Sequence, residues 1–283
     1  MATLTSKTVA VVGAGPSGLF VSECLLQQGY AVSLYDQMPS AGCKFLTAGN
    51  HGGLNITNNA PLSDFASRYG ENEKLFSTFL ADFSSTDLTQ WLSSLGVKTC
   101  TGSGGKIFPE AVSTSEILIR WMSKLRAFPA FSFFPGHRLS AIKNNETLLF
   151  SIDGGESKMK ESAEAGTVVP FARSTLVREL DITPDAAVFA LGGASWPATG
   201  SDGKWTTFFA EKNIQLKAFE SANCGFEADW SPYLKKGLQN IPLKNICMTV
   251  FGKKLRGEMM LTPYGIEGGL VYTFGSLIRS EIK

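Results

Sequence analysis

Gly13, Gly15 and Gly18 stand at the spacing G-x-G-x-x-G in Gly13-Ala14-Gly15-Pro16-Ser17-Gly18. Glycines so placed can seat a diphosphate: the first makes a tight turn, the second lets backbone approach a pyrophosphate, and the third lets a helix pack closely on a strand. The free N–H groups and partial positive charge of the helix N-terminus then serve the phosphates. That chemistry requires a strand before the loop and a helix after it. Thr8-Val9-Ala10-Val11-Val12 is apolar and rich in β-branched residues, which predicts a buried parallel strand. Leu19 to Gln28 predicts a helix, with Gly29 as its stop. Tyr30 to Tyr35 predicts a second strand, ending on Asp36. An acid at that point accepts hydrogen bonds from ribose hydroxyls and favours a free 2′-OH over a 2′-phosphate. The motif therefore points to an adenine dinucleotide, with FAD and NAD both open and NADP disfavoured.

The 283 residues suffice for one large or two ordinary domains. A hydrophobic content of 43% and a charged content of 18% describe a globular chain. The net charge of +1 gives no general electrostatic case for nucleic acid or an anionic membrane as partner. Cys24, Cys43, Cys100, Cys224 and Cys247 form no C-x-x-C pair, which argues against a redox dithiol and against a structural zinc site. Scattered and odd in number, they suit a reducing cytosol. No apolar run is long enough to span a membrane. Met1 to Lys7 is polar and leads straight into the first strand, unlike a signal peptide. The expected location is the cytoplasm, and no metal is expected.

Beyond Asp36, residues 47–59 are dominated by glycine and short polar side chains, a poor core element but a suitable backbone wrap for a polar ligand. Asp64 to Leu95 carries apolar residues at helical spacing and predicts two or three core helices, with Gly96 as a stop and Thr86 as a cap. Ser113 or Thr114 opens a helix over Glu116 to Leu125, and with Ser113 as the cap Glu116 at N3 would complete a capping box. From Phe131 the period changes to two, and Arg138 to Lys143 and Thr147 to Ile152 predict neighbouring strands. Gly154 to Gly166 reads as a loop. Asp185 to Leu191 predicts a buried strand running into Gly192-Gly193, paired glycines that can lie against a flat ligand. A helix from Trp205 to Lys212 precedes strand-like pieces at Gln215 to Lys217, Lys244 to Gly252 and Glu258 to Thr262, and Leu270 to Ile282 reads as an exposed sheet edge. The fold class expected is α/β: a Rossmann-like FAD/NAD(P)-binding domain over 1–195, with a helical segment at about 63–125, and an inserted, mostly β substrate or cap domain over 196–283.

Four stretches together resemble a family of bacterial flavoproteins that includes BaiN-type bile-acid dienone reductases and aminoacetone-oxidase-like FAD enzymes. They are Val11 to Leu19; Gly42-Cys43-Lys44-Phe45-Leu46-Thr47-Ala48-Gly49 with Gly53-Leu54-Asn55-Ile56-Thr57-Asn58; Leu95-Gly96 through Gly105-Lys106-Ile107-Phe108-Pro109; and Ala190-Leu191-Gly192-Gly193 with Trp196-Pro197 and Thr199-Gly200-Ser201-Asp202-Gly203. The resemblance implies FAD, with the stretch from Gly42 to Asn58 along the cofactor and the strand from Arg138 to Ile142 near its adenine. Cys43 stands where the family usually has Arg, a lost charge-assisted contact worth about 1.5–3 kcal/mol. Family members also continue past Gly268 to a closing flavin-ring motif that does not follow here, so the chain is expected to be a member lacking its C-terminal part.

The expected cofactor-binding residues are Gly13, Gly15, Pro16, Ser17 and Gly18; Asp36 and Gln37; Gly42, Lys44, Gly49, Gly53, Asn55, Thr57 and Asn58; Leu139; and Gly192 and Gly193. No catalytic acid or base stands out. His51, interrupting the Gly-rich stretch, is a better candidate than His137, which reads as structural. The function expected is an FAD-dependent oxidoreductase, passing hydride between NAD(P)H or an amine and a small organic acceptor or oxygen. The alternatives are a truncated dinucleotide-binding protein without turnover and a plain NAD-dependent dehydrogenase, the latter having no need of the Gly42 to Asn58 wrap. A small-molecule substrate is the expected partner, with neither nucleic acid nor membrane.

Overall fold

Successive side chains of the strand Thr8–Val12 enter two different apolar layers, and the first part of the molecule is built on that alternation. The computed structural model describes residues 7–50, 53–143, 146–153, 177–238 and 240–282. The chain divides into two compact units, Met1–Leu216 and Lys217–Lys283. The sequence places the boundary at 195/196; the structure keeps 196–216 with the first unit. There Trp205 Nε1 donates to Gly192 O at 3.1 Å, and the Phe209 ring packs edge-on against Phe189 at 5.2 Å.

The first unit runs β1 (Thr8–Val12), α1 (Pro16–Gln27), β2 (Ala31–Tyr35), α2 (Cys43–Asn50), β3 (Thr57–Asn58), α3 (Leu62–Ser67), α4 (Glu73–Asp82), α5 (Ser85–Ser94), β4 (Thr99–Thr101) and β5 (Lys106–Pro109). It continues through α6 (Thr114–Arg126), β6 (Phe131–Phe134), β7 (His137–Ile142), β8 (Leu148–Asp153), β9 (Val177–Ile182), β10 (Ala186–Phe189) and α7 (Thr206–Glu211). A parallel sheet, ordered β10-β1-β2-β6, forms its centre. Val9 and Val11 face the helical layer with Leu19, Leu92, Ile117, Trp121 and Leu125. Ala10 and Val12 face the other way with Tyr35, and pack with Leu139, Leu148 and Phe150 of the antiparallel sheet β7-β8-β9. A third sheet, β3-β5-β4, is also antiparallel. The result is the α/β, Rossmann-like core expected from the first strand, helix and strand.

One buried carboxylate ties the helical layer together. Glu23 on α1 is 2% exposed and accepts from Trp91 Nε1 on α5 at 3.1 Å and from Trp121 Nε1 on α6 at 3.0 Å. Lys124 Nζ completes its shell at 2.6 Å. The two indoles meet edge to face at 4.5 Å. Gln27 Nε2 also donates to it, at 3.3 Å, so the buried carboxylate is fully accompanied; removing it would leave the two indole N–H groups without their acceptor.

Several sequence expectations change. The stretch expected as a wrapping loop begins as helix α2, because Phe45 and Leu46 supply an apolar face to the core. The cap of α5 is Ser84, not Thr86: Ser84 Oγ accepts from Asp87 N at 3.3 Å and Asp87 Oδ2 accepts from Ser84 N at 2.8 Å, a full capping box. Ser113 caps α6 as expected, but Glu116 turns to Arg120 instead of closing the box. The aromatics of α4 are not core: that helix buries no residue, and Phe79 is 52% exposed. The expected loop at Gly154 to Gly166, His51 and Gly52, Asn144 and Asn145, and Met1 to Ser6 lie outside the described residues.

The second unit holds β11 (Phe226–Glu227), α8 (Pro232–Gly237), β12 (Ile241–Val250), β13 (Lys253–Thr262), β14 (Gly265–Glu267) and α9 (Gly269–Ile282). Its antiparallel sheet is ordered β11-β14-β13-β12. The two strand-like pieces expected after residue 243 are one long hairpin, whereas Gln215 to Lys217 forms no strand. Leu270 to Ile282 is not a sheet edge but helix α9, since Leu270, Val271 and Phe274 recur at helical spacing and are buried. No helix among the described residues is long and apolar enough to cross a membrane.

Replacing Glu23 with Ala strands two indole N–H groups and leaves the Lys124 ammonium with Ser94 Oγ alone. Urea denaturation should show a loss of about 3–5 kcal/mol.

Candidate functional site

The three glycines of the first loop sit in three different environments. Gly13 has φ +106°, and a Cβ there would sit 2.3 Å from Ala190 O. Gly18 is packed so tightly under the loop that a Cβ would come 1.8 Å from Gly13 O. At Gly15 a Cβ would meet nothing within 4 Å. The loop is therefore closed on its inner side and open at its middle, where backbone alone borders free space. Gly15 is the N-cap of α1, Pro16 occupies its first turn, and no side chain caps this end. The first-turn N–H groups of a helix have no partner within the helix, so here they remain available to a ligand.

Asp36, at the end of β2, lies beside this opening. Its Oδ2 accepts from Ala14 N at 2.5 Å and its Oδ1 from Met38 N at 2.7 Å. Burial pushes its carboxyl above the usual range, and the two backbone donors oppose that shift only in part. Each carboxylate oxygen keeps acceptor capacity beyond these bonds.

The other wall is the segment from Ala190 to Trp205, held over the opening by side chains from elsewhere. Ala190 N donates to Val12 O at 2.8 Å, Gln37 Nε2 to Gly200 O at 2.6 Å, and Lys44 Nζ to Ser195 Oγ at 2.6 Å. Lys44 Nζ also reaches Ser201 Oγ at 3.3 Å, and Ser201 Oγ donates to Gly193 O at 3.0 Å. Asp202 pairs with Arg138 at 3.6 Å and Lys204 at 3.7 Å. Lys44 forms no ion pair among the described residues, so its charge is spent only on hydroxyls.

Together these walls enclose a cavity of about 520 Å³ within the first unit. Of the expected site residues, Gly13, Gly15, Pro16, Ser17, Asp36 and Gln37 line it, as do Gly42, Lys44, Leu139 and Gly192. The rest do not. Gly18 lies beneath the loop, and Gly193 offers its carbonyl to Ser201. Gly49 sits where any Cβ would strike Thr114 Oγ1 at 1.7 Å, which makes it a helix-packing residue between α2 and α6. Gly53 lies against the Phe108 ring, and Thr57 pairs with Ile107 in the small sheet. Asn58 holds a turn, donating to Gly104 O at 2.8 Å and accepting from Ala60 N at 2.9 Å. Asn55 precedes Ile56, whose N–H donates to Ile107 O at 2.8 Å. These positions serve β3 and its neighbours, not the cavity.

Met38, His137, Arg138, Thr199, Trp205 and Phe208 line the cavity without having been singled out as binding residues. Trp205 and Phe208 carry a signal only in retrospect, because their helix reads as the start of the second domain. His137 is held by Nδ1, 2.8 Å from Pro135 O, and its ring packs edge-on against Phe134 at 5.6 Å. Among the described residues no group of three His, Cys, Asp or Glu side chains is placed to hold a metal.

Residues 7–277 match the family model described as HI0933-like protein Rossmann domain. The chain belongs to that family. No curated protein matches its sequence. Among solved structures it is similar to the open conformation of a flavocytochrome c3 fumarate reductase, with a TM-score of 0.53 and 16% identity over 86% of this chain and 48% of that one. It is also similar to THI4 of Thermovibrio ammonificans (TM-score 0.33, 18% identity, 52% of this chain and 48% of that one). For the FrdA subunit of E. coli quinol fumarate reductase the TM-score is 0.44, with 14% identity over 67% of this chain and 33% of that one. The chain thus spans about a third to a half of the solved chains it matches.

The loop geometry separates its glycines experimentally. Gly15→Ala should leave stability within about 0.5 kcal/mol, whereas Gly18→Ala should cost at least about 1–3 kcal/mol by forcing α1 off the loop. Parallel thermal and urea melts check the difference.

Proposed function

We propose that this protein is an FAD-dependent oxidoreductase of the HI0933-like family, with the adenosine diphosphate of the cofactor lying across the N-terminus of α1. The observation that carries the reading is the open middle of the loop: free space at Gly15, closed contacts at Gly13 and Gly18, and an uncapped helix end beside them. In this reading the first-turn amides hold the diphosphate, Asp36 holds the ribose hydroxyls, and Leu139 on β7 borders the adenine. Lys44 and the segment it fastens close the cavity over the cofactor and exclude water. A bound flavin supplies the hydride-exchanging ring, and the protein supplies position and electrostatics.

FAD is preferred to NAD on two grounds. The four sequence stretches resemble BaiN-type and aminoacetone-oxidase-like flavoproteins, and the solved structure of matching overall fold is named a flavocytochrome. NAD(P)H or an amine as donor, and a small organic molecule or oxygen as acceptor, complete the proposed reaction. One observation favours the second reading, a dinucleotide-binding protein without turnover. The titratable groups of the cavity are already engaged: Asp36 with backbone, His137 with Pro135 O, and Arg138 with Asp202.

Titration with FAD should give saturable binding and a yellow chromophore, reducible by NADH, NADPH or an amine. Gly15→Val should keep the wild-type circular dichroism and weaken FAD by at least about tenfold, since the added methyls fill the diphosphate space. Saturable uptake of NAD with none of FAD would overturn the flavin reading, and bound but irreducible FAD would leave the second reading.

The raised pKa of Asp36 gives the reading a pH dependence. Only the carboxylate can accept from both the ribose and the two backbone donors. FAD affinity should therefore fall as pH drops, and the fall should begin at a higher pH than an ordinary aspartate would give. Titrations across that fall check the direction.

A further inference from the structure

The tip of the β12–β13 hairpin in the second unit carries a side chain that its backbone disfavours. β12 and β13 are joined by the two-residue loop Phe251-Gly252, with φ +46° and +78°. A loop with both residues at positive φ takes Asn-Gly or Asp-Gly by preference, and a bulky residue there is a steric outlier. Of the other non-glycine residues at positive φ among the described residues, Asn213, Asn240 and Asn245 suit the left-handed region, while Ala111 and Glu146 are smaller or unbranched at the ring position that makes Phe251 bulky. At 251 the chain places phenylalanine, and the ring is 64% exposed. Strain retained for an exposed aromatic points to a use for the ring.

Charge beside the tip is of one sign. Lys253, Lys254 and Arg256 follow the turn on β13, with Leu255, 40% exposed, among them. Across the ladder they face Val250, Thr249 and Cys247, all neutral, and none of the three forms an ion pair among the described residues. Lys254 and Arg256 share one face of β13 and Lys253 the other, so cationic charge flanks the tip on both faces. The chain's overall charge of +1 conceals this local set.

We propose that this hairpin tip docks on an anionic lipid surface, with Phe251 and Leu255 entering the headgroup region and Lys253, Lys254 and Arg256 meeting lipid phosphates. Aromatic rings with cationic neighbours suit the boundary between lipid and water: the ring sits at the headgroup level while long basic side chains reach the charge. A second copy of the chain fits worse, because it would oppose the same cations to one another. A nucleic-acid strand would need a basic groove along its backbone, not a single tip.

The test uses the full chain and co-sedimentation with phosphatidylcholine vesicles, with and without phosphatidylserine, at low and high salt. Binding should require phosphatidylserine and weaken with salt. The triple variant Lys253→Gln, Lys254→Gln, Arg256→Gln should lose at least about tenfold in vesicle affinity. Phe251→Asn should weaken binding by a similar factor while its melting temperature holds or rises, because Asn suits the left-handed turn. That pairing separates a role for the ring from damage to the fold. Equal binding to both vesicle types, no binding to either, or unchanged binding of Phe251→Asn would overturn the proposal. So would retention of a single-stranded oligonucleotide without vesicle binding, or a dimer that these substitutions abolish.

Discussion

The first unit depends on one backbone-to-backbone contact, the seating of Gly18 under the carbonyl of Gly13. No side chain fits between them, so the first turn of α1 is pressed against the loop leaving β1. From that contact the rest follows. The helix lies close enough for Leu19 and Leu26 to join Val9 and Val11 in one apolar layer. Its uncapped end is delivered to the mouth of a cavity. Glu23, one turn beyond Leu19, is brought to the two indoles and the ammonium that bind α5 and α6 to α1. Packing and ligand chemistry thus share one helix, with packing on its flank and binding at its end.

The cavity is lined by two anchored acids, Asp36 and Asp202, and three cations, Lys44, Arg138 and Lys204. Asp36 is fixed by Ala14 and Met38, so its remaining lone pairs are aimed before any ligand arrives. The segment from Ala190 to Trp205 has little regular structure of its own and is positioned by Gln37, Lys44 and Arg138. Such a wall is set by hydrogen bonds more than by apolar burial, which leaves it able to adjust around a cofactor.

The central motif was legible because it is local. Strand, loop, helix and acid lie within thirty consecutive residues, from β1 to Asp36, and each has a signal that needs no distant partner. The cavity's remote wall was only half legible. Gly192 and Lys44 were readable, but Trp205 and Phe208 reach the cavity through a fold that returns to the first unit after the expected boundary. The stretch from Gly49 to Asn58 misleads for a physical reason. Glycine and asparagine suit a ligand wrap and a crowded turn equally, and here Gly49 yields to Thr114 and Asn58 holds the turn at Gly104. Helix α9 misleads because a short apolar run suits strand and helix alike, and only its packing spacing decides.

The central claim is that the amide groups at the start of α1 hold a diphosphate. Backbone amide NMR during titration with ADP, the half of the cofactor that the claim concerns, tests it without reference to flavin chemistry. The account predicts saturable shifts concentrated at Gly15, Ser17 and Gly18, accompanied by Ala14 and Met38 as Asp36 takes up the ribose. ADP binding that leaves those amides unmoved, or no saturable binding of ADP, would contradict it.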